Sequence, residues 1–176
     1  MKYLKNIVGL LIVFLFLGFQ EVPKMKEADT NAILKASYIY NFAKLIDWPE
    51  NDKTGNFIIG VYGNSTVYKE LMKKYSSKSI GKQQIEIKKL SDTPSIGKVH
   101  LLYISKDKEG DLEKLLKSID GSSVLIVTES YNALDIGSII NFIVINNSLK
   151  FELNIGKANE HNLSVGTVLK DLAFKK

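Results

Sequence analysis

Residues 35–49 read Lys35-Ala36-Ser37-Tyr38-Ile39-Tyr40-Asn41-Phe42-Ala43-Lys44-Leu45-Ile46-Asp47-Trp48-Pro49. Apolar residues recur at Ile33, Ala36, Tyr40 and Ala43, with Ile39, Phe42 and Ile46 on an adjacent stripe, which is helical spacing. The pattern predicts a helix entered at Asp29 or Thr30 as N-cap and running to about Asp47. Pro49 ends it, because the residue before a proline avoids the helical region. A helix apolar over so much of its circumference is either deeply buried or covered by a partner. The polar tips of Tyr38, Tyr40 and Trp48 need hydrogen-bonding groups, a trait of interfaces as well as cores, so core and core-plus-interface are both readings of this helix.

Outward from this helix, strand and helix patterns alternate. Asn56 to Tyr62 is a continuous apolar run of strand length, expected for a strand covered on both faces. Gly63-Asn64-Ser65 turns the chain, and Asn64 or Ser65 caps a helix carrying Val67, Leu71 and Tyr75. Gln84 to Lys88 alternates as a half-exposed strand, Val99 to Ile104 reads as a buried one, and Glu109 to Ile119 as an amphipathic helix closed by Gly121. Val124 to Val127 is a further buried strand. Ile139–Ile145 and Leu149–Asn154 form a hairpin through Asn146-Asn147-Ser148, whose asparagines tolerate positive φ. Ser164 is the expected cap of a last helix with Val165, Val168, Leu169 and Leu172 inward. The order predicts an α/β three-layer sandwich with a mixed, mostly parallel sheet of about six strands, a C-terminal β-hairpin and flanking helices.

Upstream, Lys2 and Lys5 precede an apolar run from Ile7 to Phe19, the pattern of a secretory signal peptide and short for a membrane span of roughly 20 residues. The expected organisation is a signal peptide over 1–20, a polar spacer over 21–29 and one domain over 30–176, placed in the periplasm; an uncleaved membrane anchor is the alternative. Without Lys2 and Lys5 the formal charge falls from +5 to +3. All 24 basic residues are lysine. Nucleic-acid recognition leans on the arginine fork, so no nucleic-acid partner is expected, and the lysines read as a solvated surface. The absence of cysteine excludes disulfides, thiolate metal sites and cysteine nucleophiles.

No motif of catalysis is present: no nucleophile elbow, P-loop or paired-histidine metal motif occurs. His100, inside an apolar strand, reads as a hydrogen-bonded core histidine, and His161 as a surface cap before the last helix. No catalytic residue, metal or cofactor is assigned. Open α/β sheets bind ligands outside the C-terminal strand ends, which makes Asn64, Ser65, Asp107 and Glu129 candidates for a ligand cleft.

Lys35 to Pro49 closely resembles the opening motif of the YfiR family, K-A-x-Y-L-Y-N-F-A-K-F-x-x-W-P. Phe57 to Gly63 resembles that family's first strand and turn, Val99 to Ile104 its cysteine-histidine strand, and Ser123 to Glu129 the next. Gly137-Ser138-Ile139-Ile140-Asn141-Phe142 is similar to its glycine-rich turn into the hairpin, Phe151-Glu152-Leu153-Asn154 to its F-E-I-N strand, and Leu163 to Ala173 to its last helix. The resemblance covers about residues 30–174. It implies a small periplasmic, non-enzymatic protein that represses a membrane-bound diguanylate cyclase through the cyclase's periplasmic domain, forms dimers and responds to redox state through cysteines. Val99 stands where many members carry cysteine, so disulfide gating cannot operate in this chain. The resulting expectation is an exported regulator of an inner-membrane signalling protein, a cyclase or a sensor kinase, acting by protein–protein contact. Tyr38, Tyr40, Asn41, Lys44, Trp48, Glu152 and Asn154 are its motif or interface candidates, the last two facing the same core or groove. The alternative is a periplasmic sensor or carrier holding a small ligand at the strand ends.

Overall fold

A computed structural model of the chain describes residues 27–63, 66–90, 96–119 and 121–175. The first helix, α1 (Glu27–Leu45), is already formed at Glu27, inside the stretch read as a spacer, so Asp29 and Thr30 lie within it rather than capping it. It stops at Leu45, earlier than the proline alone requires. Ile46–Asp47 (β1) instead pairs antiparallel with Ser164–Val165 (β9), and Gly166 N–H donates to the Leu45 carbonyl at 3.0 Å. A Cβ at Gly166 would stand 2.8 Å from that oxygen, so glycine permits the approach.

The main sheet contains β2 (Phe57–Tyr62), β3 (Ser79–Ile80), β4 (Gln83–Leu90), β5 (Leu101–Ile104), β6 (Leu125–Thr128), β7 (Ile140–Ile145) and β8 (Ser148–Leu153). Its seven strands run in the order β3-β4-β2-β5-β6-β7-β8. The five inner strands, β4-β2-β5-β6-β7, are parallel; the edges β3 and β8 are antiparallel. The expected mixed, mostly parallel sheet with its C-terminal hairpin is present, and the strand beyond the expected six is the two-residue β3. Asn146 and Asn147 turn the hairpin at φ 48° and 58°, as their side chains allow.

Between the strands lie α2 (Thr66–Tyr75), α3 (Leu112–Ser118), α4 (Ala133–Ile136), α5 (Ile155–Glu160) and α6 (Thr167–Leu172). Right-handed crossovers put α2 on one face of the sheet and α3 and α4 on the other. Helix α1 joins α2: Tyr40 stacks on Tyr75 at 4.4 Å and Tyr75 Oη donates to Ser37 Oγ at 3.1 Å. Ala32, Ala36, Ile39 and Ala43 form its buried seam, three of them small enough to seat the helix close to its neighbours. Phe42 and Tyr38 extend the seam over the hairpin, with ring centroids 4.8 and 5.8 Å from Phe151.

Several local readings are corrected. The helix expected over 109–119 is a 3-10 turn, Lys106–Asp111, followed by α3, which ends with Ile119 as C-cap; Gly121 lies in the next turn at φ 75°. Ser164 belongs to β9, and Gly166 caps α6. Because α6 starts later and is only six residues long, Val165 and Leu169 are buried while Val168 and Leu172 are 56% and 62% exposed. Helices α4 and α5 carry no clear apolar period and were not expected.

Candidate functional site

The motif helix divides into buried anchors and an outward ridge. Trp48 is buried, its ring edge-on to Phe57 at 4.9 Å, and its Nε1–H donates to the Ser123 carbonyl at 3.0 Å. The polar tip is thereby satisfied inside the fold, on the loop that leads into β6. Tyr38 is half-buried against Phe42, Phe142 and Phe151. Asn41 and Lys44 are exposed, and the Lys44 ammonium lies over the half-buried Tyr40 ring at 5.6 Å from its centroid. Of the motif candidates, Asn41 and Lys44 are therefore the exposed side chains, with half-buried Tyr40 beside them.

Glu152 and Asn154 do not join this ridge. Strand alternation places Phe151 on the α1 face and Glu152, paired with Asn141, on the opposite face. Asn154 caps α5, its Oδ1 accepting from Lys157 N–H at 2.9 Å. The F-E-x-N segment is thus a strand followed by a helix cap, and its two polar residues do different work.

At the C-terminal strand ends the structure holds a charged network. Glu129, just past β6, accepts from Lys35 Nζ on α1, from Tyr103 Oη on β5 at 2.6 Å and from Lys106 N–H at 3.2 Å. Burial, with the Glu129 carboxylate beside it, pushes the Tyr103 phenol well above its ordinary range and keeps it a proton donor. Asp107 accepts from Ser105 Oγ, whose hydroxyl also lies 3.1 Å from the Tyr62 carbonyl. Both carboxylates assigned to a ligand cleft are consequently engaged by the protein itself. Asn64 and Ser65 lie outside the described residues.

Next to this network is an open cavity of about 520 Å³, lined in part by Glu129, Ser130, Asn141, Ile143 and Glu152. Asn141 Oδ1 accepts from Thr128 Oγ1 at 2.8 Å and from Ser130 N–H at 3.1 Å, fixing the wall. The Ser130 hydroxyl is buried and has no hydrogen-bond partner among the described residues.

Both histidines are buried and hydrogen-bonded to the backbone. His100 Nδ1 accepts from Ile58 N–H and Nε2–H donates to the Asp52 carbonyl, both at 2.9 Å, with the ring stacked on Phe57. Burial depresses its pKa, and Lys98 nearby adds to the effect while the Asp52 contact opposes it. His161, expected at the surface, is buried, and its Nδ1–H donates to the Ser122 carbonyl at 2.7 Å. The turn carrying it closes inward through Asn162 at φ 56°. Among the described residues no group of three His, Asp or Glu side chains is arranged to hold a metal ion. No described helix is long and apolar enough to cross a membrane.

Lys35 and Tyr103 are the members of the strand-end network that sequence reading passed over. Lys35 gave one signal: it is a charged residue one position before Ala36 of the buried seam. Tyr103 gave none, because an aromatic residue in a buried strand reads as core.

The sequence likeness seen along the chain has an independent counterpart. Residues 32–173 match the model of the family described as YfiR/HmsC-like. Comparison with curated proteins finds no match.

Proposed function

The chain belongs to the YfiR/HmsC-like family, and on that premise we propose that it is an exported, single-domain regulatory protein that controls a membrane signalling protein by direct contact. The family match over 32–173 carries this reading. A cyclase or a sensor kinase fits as the regulated protein, and the protein itself needs no catalytic centre. The contact surface we assign is the α1 ridge of Tyr40, Asn41 and Lys44, an aromatic and cationic strip on a rigid helix. Trp48 and Tyr38 instead pack into the domain, against Phe57 and against the hairpin aromatics. Co-purification from membranes tests the assignment: a membrane signalling protein is recovered with the wild type and lost with Asn41→Ala/Lys44→Ala, a variant at two exposed residues that leaves the stack of Tyr40 on Tyr75 in place.

A second reading rests on the cavity beside Glu129, where the unpartnered Ser130 hydroxyl offers a hydrogen bond to a small polar ligand. A ligand held there raises the melting temperature by mass action. A broad panel of metabolites that leaves the melting temperature unchanged counts against it.

A further inference from the structure

The segment that runs from α2 to β4 is dense in lysine. Residues 66–90 carry Lys69, Lys73, Lys74, Lys78, Lys82, Lys88 and Lys89 against only Glu70 and Glu86, a surplus as large as the +5 of the entire chain. These residues form one end of the domain, with α2 packed on β4 and the short β3 closing the sheet beside it. All seven lysines are exposed. Lys74 pairs with Glu70 at 3.9 Å and Lys88 with Glu86 at 3.3 Å. Lys69, Lys73, Lys78, Lys82 and Lys89 have no acidic partner among the described residues.

We propose that this lysine edge is a docking surface for an anionic phospholipid membrane. Three observations point to a lipid surface. The charge is spread over an edge of the domain rather than focused in a cleft, with Lys69, Lys73 and Lys74 on α2, Lys78 and Lys82 on either side of β3 and Lys88 and Lys89 at the end of β4, which suits a two-dimensional array of headgroups. It is supplied only by lysines, compact point charges that need no bidentate geometry. Finally, Met72 is 39% exposed on α2 between Lys69 and Lys73, an apolar contact flanked by side chains able to lie along a membrane interface. Lys69 and Lys73, four residues apart, repel each other on the helix, an arrangement that disfavours the isolated helix and favours an external anion. The inference stands apart from the regulatory reading, since a lipid vesicle contains no signalling protein.

Sedimentation of the full chain with vesicles tests it. The vesicles contain either phosphatidylcholine alone or phosphatidylcholine with phosphatidylglycerol, at low and at physiological salt. Binding to the anionic vesicles should exceed that to neutral ones and weaken with salt. Lys69→Gln/Lys73→Gln/Lys78→Gln/Lys82→Gln/Lys89→Gln should lower anionic-vesicle partitioning by at least about tenfold. The control Lys106→Gln/Lys114→Gln/Lys117→Gln/Lys150→Gln/Lys170→Gln, with equal charge loss from exposed sites elsewhere, should lower it much less. Equal binding to neutral vesicles, an equal loss in the control, or no binding to anionic vesicles overturns the proposal. So does a lysine dependence seen only with an acidic polypeptide or nucleic acid, which would assign the edge to another class of partner.

Discussion

Lys35 on α1 and Glu129 at the end of β6 are 94 residues apart in the chain and form an ion pair at the C-terminal rim of the sheet. Each side chain is only 17% exposed, so neither charge is well hydrated without the other. The Tyr103 hydroxyl and Lys106 N–H complete the coordination of Glu129. This contact ties the first helix of the domain to its central strands.

Replacing Lys35 by methionine keeps the stem and removes the charge. Glu129 is left partly buried with two neutral donors, and the change should cost about 2 kcal/mol in urea unfolding. Adding Glu129→Gln should recover part of that loss, because the stranded charge is then gone. A cost for Lys35→Met below about 0.5 kcal/mol would show that the pair behaves as an ordinary surface ion pair.

His100 gives stability a pH dependence. Its native pKa lies below the unfolded value of 6.5, because burial disfavours the cation and Nδ1 already accepts from Ile58 N–H. The unfolded chain therefore binds the proton first. The stability from neutral His100 is complete above about pH 6.5 and is lost as pH falls toward the native pKa. Urea midpoints measured from pH 7.5 to 5.5 should fall in the wild type and fall less in His100→Asn. Parallel profiles for the two proteins would rule this account out.

Gly63 should tolerate no side chain. Its φ is 113°, and a Cβ there would come within 1.9 Å of Ser105 Oγ at the crossing between β2 and β5. Gly63→Ala should lose about 2 kcal/mol or more of unfolding free energy. Gly63→Ala/Ser105→Ala should regain only the steric share, since the backbone strain remains.

Trp48→Phe removes one hydrogen bond together with part of the buried indole ring. An aromatic ring is kept beside Phe57, while the Ser123 carbonyl loses its donor and the core loses ring volume, and the expected cost is about 2–3 kcal/mol in unfolding followed by circular dichroism. A neutral outcome would mean that neither the indole N–H nor its packing contributes to stability.

The architecture was legible in the sequence because buried parallel strands read as apolar runs, and Asn146-Asn147 announces a hairpin. The short helices α4 and α5 were not, since one turn of helix has no period to detect. The end of α1 was set by Val165 and Gly166, which are distant in sequence and win over local helix propensity. The candidate site was half legible. The motif identified the helix, but only the fold separates buried Trp48 from exposed Lys44 and joins Lys35 to Glu129. The lysine density of 66–90 can be counted in the sequence, but only the fold shows that these lysines are exposed at one edge of the domain.

The regulatory account is tested most directly by recovering the wild-type protein from solubilised membranes of the cells that make it, beside Asn41→Ala/Lys44→Ala, which changes only exposed residues of the first helix. The account predicts that the wild type brings down a membrane protein with a signalling output domain and that the variant, folded to the same unfolding midpoint, does not. Recovery of no such protein with the wild type, or equal recovery with the variant, would contradict a regulatory contact through the first helix.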